Sequence, residues 1–201
     1  MNRAAFLHPR GMLLIAGGAF AALALSALLF QALPADAAAR GTLLALATPA
    51  VVTVLRLANR MGEWPFILVG TGLLLVVFSQ ARRRWWIWAA LMLVAPAAEG
   101  TLKYVVARPR PEDASFGFPS GHATAAAAFF GAVAYLAGAL PSPARAIVRT
   151  LAIVAIVLVG IARVVLRAHW PSDVLGGIAL GLALASAAAL LAARRATPEP
   201  R

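Results

Sequence analysis

The chain alternates long apolar runs with short breaks of arginine, proline or small residues. Its first run, Met12 to Leu33, exceeds the about 20 helical residues that cross a hydrocarbon core and predicts a first span. The rival reading is a cleaved leader ending at Ala35-Asp36-Ala37, where small residues resemble a processing site. Asp36 to Glu63 is only moderately apolar and is interrupted by Arg40, Pro49, Arg56 and Arg60. That mixture predicts a helix lying in the membrane interface, with a full crossing as the alternative. Trp64 to Gln80 reads as a second span and Ile87 to Leu102 as a third. Ala123 to Leu140, Ile147 to Val165 and Val174 to Ala193 supply the fourth, fifth and sixth. The expected fold is an all-α polytopic membrane bundle of about six transmembrane helices, with an interfacial helix between the first two. With no internal repeat or long linker, residues 1–201 are expected to form a single domain.

Composition supports that class, since 62% of the residues are hydrophobic and the mean hydropathy is +0.86. Ordinary soluble domains carry about 45–50% apolar residues. The formal charge of +11 does not point to nucleic acid, because the basic residues are scattered between apolar runs and form no single patch. Positive-inside topology accounts for them better. With the N-terminus inside, Arg3, Arg10, Arg82, Arg83, Arg84, Arg145, Arg149, Arg194, Arg195 and Arg201 fall on the inner side. Arg82-Arg83-Arg84 followed by Trp85-Trp86-Ile87-Trp88 reads as an interfacial anchor, or as a platform for lipid head groups. Cysteine is absent, and the three histidines show no zinc-binding spacing, so neither metal nor cofactor is expected.

The chemistry-bearing residues concentrate in two stretches. In Lys103 to His122, KYVVARPRPEDASFGFPSGH, the cations Lys103, Arg108 and Arg110 precede Pro119-Ser120-Gly121-His122, which opens directly into an apolar run. Unpaired N–H groups at such a helix start, together with fixed cations, suit a phosphate-like anion. The second stretch runs from Arg163 through Arg167 and His169 to Asp173, with Pro171 placed for the first position of a new helix. Asp173 then stands one turn beyond His169, where a carboxylate can fix the imidazole tautomer and raise its basicity. With an even number of spans between them, both stretches fall on the same, outer face. Taken singly, each histidine could be an interfacial residue satisfied by backbone or water.

Lys103-x6-Arg110-Pro111, Pro119-Ser120-Gly121-His122 and Arg163-x5-His169-x3-Asp173 together resemble the three-part signature of the type 2 phosphatidic acid phosphatase (PAP2) superfamily, in its membrane-embedded lipid phosphatase branch. The resemblance implies phosphoryl transfer through a phosphohistidine. His169 would be the nucleophile, Asp173 its orienting partner, and His122 the acid and then the base. Lys103, Arg110, Arg163, Ser120 and Gly121 would bind phosphate. Glu99, one turn before Lys103, is expected to position it or to form a buried structural pair with it. Arg108 is expected to touch either the substrate or a loop carboxylate, Glu112 or Asp113. Arg167 could simply snorkel to head groups. Ala162 departs from the family, where serine often precedes this arginine.

The implied substrate is a lipid phosphate: undecaprenyl diphosphate ranks first, ahead of phosphatidylglycerophosphate, phosphatidic acid and lipid A phosphates. Membrane lipids would be the other partners. The resemblance also implies a bacterial inner membrane, and the charge bias with an even number of spans puts both termini in the cytoplasm and the site on the outer face. A non-catalytic lipid-phosphate binding or transport protein is the alternative, and a vanadate-dependent haloperoxidase a weaker one. Oligomeric state and a lid role for residues 36–63 are left open by the sequence.

Overall fold

A computed structural model describes residues 8–31 and 33–194. Arg3, Arg195 and Arg201, counted above in the inside charge, lie outside them. The helices in order are α1 (Pro9–Phe30), α2 (Pro34–Ala45), α3 (Pro49–Asn59), α4 (Trp64–Val77), α5 (Ser79–Arg83), α6 (Trp85–Val106), α7 (Gly121–Leu136), α8 (Ser142–Val165) and α9 (Pro171–Ala193). Among the described residues the only extended pairing is an isolated bridge between Pro109 and Phe116.

Five helices, α1, α6, α7 (with its 3₁₀ continuation to Ala139), α8 and α9, are long and apolar enough to cross a membrane. The predicted second span is shorter than its apolar run. Helix α4 has 14 residues, about 21 Å at 1.5 Å per residue, because Phe78 turns extended. Arg82 then folds back to donate to the carbonyls of Leu75 and Val76, at 3.2 and 2.6 Å. The arginine run therefore also closes a helix end that would otherwise leave carbonyls unpaired. Trp85 and Trp86 point outward as an aromatic anchor should, whereas Trp88 belongs to the core.

Residues 36–63 do not form one interfacial helix. They divide at Ala47-Thr48, where Thr48 caps α3 by accepting from the Val51 N–H and Pro49 takes the first helical position. The two arms are bent by 115°, and neither is long enough to span by itself. Helix α3 packs Leu55 on Ala162 and Val165 of α8. Ala162 is fully buried there, so the small apolar side chain found in place of serine lies in a helix–helix contact.

The centre of the bundle is the crossing of α7 and α9. Close approach requires small residues, and Gly177-x3-Gly181 provides them. A Cβ on Gly181 would lie 2.4 Å from the Thr124 carbonyl oxygen, and one on Gly177 would lie 2.5 Å from that of Ser120. The buried Ala123, Ala127 and Ala128 of α7 meet these two glycines, and Ala185 of α9 meets Gly131 of α7. Helix α1 packs along α9, and its Phe20 stacks on Phe118 with ring centroids 6.0 Å apart. The fully buried Phe118 in turn lies against Gly176. At the opposite end, Arg84 donates to the carbonyls of Leu191 and Arg194, and Arg149 to that of Ala134. Arg82, Arg84, Arg149 and Arg194 thus collect at the end away from the two histidine motifs.

Candidate active site

Four helix ends and two loops converge on one patch. The C-terminal end of α6 brings Glu99 and Lys103, and the start of α7 brings Ser120, Gly121 and His122. The end of α8 carries Arg163, while α9 opens with Asp173 in its first turn. Arg108 and Arg110 come from the segment 107–120, which is stitched to itself by Arg110 N–H to Ser115 O (3.1 Å) and Gly117 N–H to Arg108 O (2.6 Å). Ser120 N–H donates to the Asp173 carbonyl at 2.9 Å, which ties the second motif to the third through the backbone. Gly117 passes so close to Asp173 that a Cβ there would stand 2.7 Å from Oδ2.

His169 is 1% exposed and Asp173 is fully buried. The imidazole Nδ1 lies 3.5 Å from Asp173 Oδ2, an oxygen that also accepts from the Trp170 N–H at 3.0 Å. This is long for a hydrogen bond, as catalytic contacts often are before substrate binds. It places Nε2, across the ring, on the side away from the carboxylate. Burial pushes His169 below its ordinary value of 6.5; the Asp173 carboxylate opposes that push and the Arg163 and Arg110 charges add to it. The ring is therefore neutral at neutral pH, as a nitrogen nucleophile or base must be.

The cations hold lighter contacts. Arg163 donates to Asn59 Oδ1 at 2.9 Å and leaves its buried Nε without a partner. Arg110 donates from Nε to Phe116 O at 3.3 Å and stands 3.8 Å from Asp113. Lys103 pairs with Glu99 one turn earlier, the partnership expected from their spacing. The charges of Arg163, Lys103 and Arg110, and the ring of His169, all act on His122. Ser120 Oγ is fully buried and has no partner. Unpaired donors at a helix start suit an anion. Among the described residues no group of three or more His, Asp or Glu stands where it could hold a metal ion.

Arg108 contacts neither of the loop carboxylates expected for it. It is fully buried and divides its guanidinium between Asp173 Oδ1 (2.8 Å), Ser172 Oγ (2.6 Å), Asp36 Oδ2 (2.6 Å) and the Gln31 carbonyl. Glu112 instead pairs with Arg40 and, at 3.1 Å, with Arg167, which is therefore more than a snorkelling cation. Asp113 accepts from the Ser115 backbone and hydroxyl. With its guanidinium committed to these four acceptors, Arg108 meets the His169 motif through Asp173 and Ser172.

A pocket of about 540 Å³ leads away from these groups. His122, Glu99 and Gly121 form one end, and Trp64, Ile67 and Leu68 of α4 with Met92, Leu93 and Pro96 of α6 form apolar walls. Leu68 and Leu93 are also largely exposed on the outer surface of the bundle. The pocket is consequently a lateral cleft between α4 and α6 with a polar head.

Sequence reasoning passed over three residues of this region. Asp36 figured only in a processing site, although it stands in the first turn of α2, where a carboxylate complements the dipole. Asn59 donates to Glu63 (3.1 Å) and holds Arg163. Gly62 lies against the His122 backbone, where a Cβ would be 2.8 Å from its carbonyl oxygen. Both belong to the segment read as an interfacial helix.

A family model described as the PAP2 superfamily matches residues 84–196, more than half of the chain. Phosphatidylglycerophosphatase B of Bacillus subtilis (strain 168) is 45% identical over 92 residues, which cover 41% of this chain and 45% of that protein. The chain thus spans under half the length of that curated relative. A crystal structure described as the first transmembrane PAP2 type phosphatidylglycerolphosphate phosphatase from Bacillus subtilis superposes with a TM-score of 0.73 at 29% identity. That match covers 90% of this chain and 94% of the other. The apolar helices together with this transmembrane neighbour make the chain an integral membrane protein.

Proposed function

The chain belongs to the PAP2 superfamily, and on that premise we propose that it is a metal-independent membrane phosphatase acting on a lipid phosphate. The observation that carries the reading is the lateral cleft, which joins an apolar channel between α4 and α6 to His122 and the start of α7. A phosphate can reach the polar head beside His122 and Gly121, next to the cations that act on His122, while its lipid chain stays among apolar side chains. In the first step His169 Nε2 bonds to phosphorus and the bond from phosphorus to the lipid oxygen breaks, His122 giving that oxygen its proton. In the second, His122 takes a proton from water as the water oxygen bonds to phosphorus and the P–N bond breaks. Lys103, Arg110, Arg163, the Ser120 hydroxyl and the Gly121 N–H hold the nonbridging oxygens, supplying the electrostatic stabilisation that phosphoryl transfer mainly needs.

The names of the two Bacillus subtilis proteins move phosphatidylglycerophosphate ahead of undecaprenyl diphosphate as the first substrate to test. An inner-membrane site opening to the outer face, with both termini cytoplasmic, fits the basic residues gathered at the opposite end of the bundle. The test is phosphate release by purified protein in detergent and EDTA. The panel is phosphatidylglycerophosphate, undecaprenyl diphosphate, phosphatidic acid and a lipid A precursor. Release that survives chelation is the expected result, and its size ranks the substrates. No release from any of them would favour the non-catalytic binding protein.

The same reading fixes a pH dependence. Because burial lowers the His169 pKa, the neutral nucleophile persists as pH falls through 6.5, and activity is lost only when pH reaches the depressed value. The acid limb of kcat/KM is expected below pH 6.5. Two substrates with different phosphate ionisations separate this limb from their own. A substrate-independent limb at or above 6.5 would contradict the burial argument.

A further inference from the structure

We propose that Asp36 is a positioning residue for this reaction, acting through Arg108 to keep a net negative charge on the Asp173 side of His169. The inference rests on the reading of His169 as nucleophile. As Nε2 bonds to phosphorus the imidazole becomes cationic, and Asp173 must stabilise it across Nδ1. Yet the Arg108 guanidinium stands 2.8 Å from the other oxygen of that carboxylate, fully buried and away from the screening of bulk solvent. Arg108 and Asp173 alone would form a neutral pair and present His169 with little field. Asp36 is 4% exposed and binds the opposite edge of the same guanidinium at 2.6 Å. Two carboxylates around one guanidinium leave a net charge of −1, held next to the imidazole.

The other charged and titratable groups around His169 make that charge necessary. Arg110 faces it from the loop, Arg163 from α8 and His122 from α7. Arg40 of α2 lies over the Trp170 ring, 5.8 Å from its centroid. Asp113, also within range, is more than half exposed and held by Ser115 and Arg110. Asp36 is also tied to the helix that carries Asp173. It accepts from the Ser172 N–H at 2.8 Å and the Ser172 hydroxyl at 2.6 Å, and so pairs donors in the first turn of α9. One side chain from α2 thereby sets both the orientation of the α9 start and the charge behind the catalytic carboxylate.

The test compares Asp36→Asn, the double variant Asp36→Asn/Arg108→Gln and His169→Ala with the wild type, measuring kcat, KM and the acid limb of kcat/KM on the same lipid phosphate. Asp36→Asn is expected to lower kcat about tenfold with KM little changed. Its acid limb should move to lower pH by about one unit, because the imidazolium has lost its net anionic support. In the double variant Asp173 regains an uncompensated charge, and the limb should return toward the wild-type position. A merely structural Asp36 would make the double variant worse than the single and leave the limb in place, and that outcome overturns the proposal. Should Asp36→Asn not accumulate as folded protein, the double variant is compared with Arg108→Gln, which differs from it only in keeping the Asp36 charge: a limb at higher pH in Arg108→Gln supports the proposal, and equal limbs overturn it. Activity remaining in His169→Ala would instead remove the nucleophile assignment on which the inference depends.

Discussion

Replacing His169 with alanine is expected to reduce lipid phosphate hydrolysis by about 10⁴-fold or more while lipid phosphate binding persists. Loss of a nucleophile removes the covalent route altogether, and the residual rate comes from whatever the cation cluster and the Ser120–Gly121 helix start contribute by themselves. Those groups lie on α6, on the segment 107–120, at the start of α7 and on α8, and do not depend on the imidazole for their placement. Rapid quenching of the wild type with radiolabelled substrate should trap a phosphoprotein that is labile in acid and stable in base, as a phosphoramidate is. The same label should be missing from His169→Ala. Full activity in the variant, or a label that survives acid, would rule out the phosphohistidine. Unaltered lipid binding with no turnover even in the wild type would favour the binding protein.

Arg108→Leu is expected to give the largest loss of stability among single substitutions in the site. The change leaves Asp36 and Asp173 facing each other across an apolar gap, both at 5% exposure or less. Breaking a buried ion pair from one side typically costs about 3–5 kcal/mol, because the abandoned charge has no water to turn to. Here there are two such charges. Arg108→Lys keeps the charge but cannot reproduce a fork that reaches four acceptors, so it should fall between wild type and leucine. Thermal inactivation half-lives in detergent measure the order. If Arg108→Leu is as long-lived as the wild type, the arginine does not hold α2, the loop and α9 together. Removing the negative partner as well, as in Asp36→Asn/Arg108→Gln, should recover part of the lost lifetime.

The residues of the three motifs were legible because each sits at a helix end, where a short sequence window contains both the side chain and the break that exposes it. Gly121, Pro171 and the Glu99–Lys103 pair are local in this sense, and their placement follows from spacing along one helix. Asp36 was not legible. Its partners lie 72 residues away in Arg108 and 136 away in Ser172, and nothing around Ala35-Asp36-Ala37 reveals them. A buried carboxylate needs a counter-charge, and the chain offers many arginines at similar distance in sequence. Asn59 and Gly62 escaped notice because their segment reads as a helix lying in the interface, and nothing local in it points to Arg163 or His122. Trp64 to Gln80 shows a third limit. Hydropathy continues past Val77, but the backbone does not, because Phe78 is extended and Arg82 turns back on the helix end.

The seam of small residues between α7 and α9 separates what can vary from what cannot. With Gly177 and Gly181 against the α7 backbone, a side chain one methyl larger has no place to go, so the helix start that carries His122 and the one that carries Asp173 are locked in register. The large apolar side chains of the cleft come from other helices, α4 and α6, and α7 adds Ala125 and Ala128. Exchanging Leu68, Met92 or Leu93 for larger or smaller residues would reshape the channel without disturbing that register. Under the proposed function, the architecture works as a fixed tool with an interchangeable jaw, in which changes in the cleft walls alter lipid preference while the phosphate chemistry stays the same.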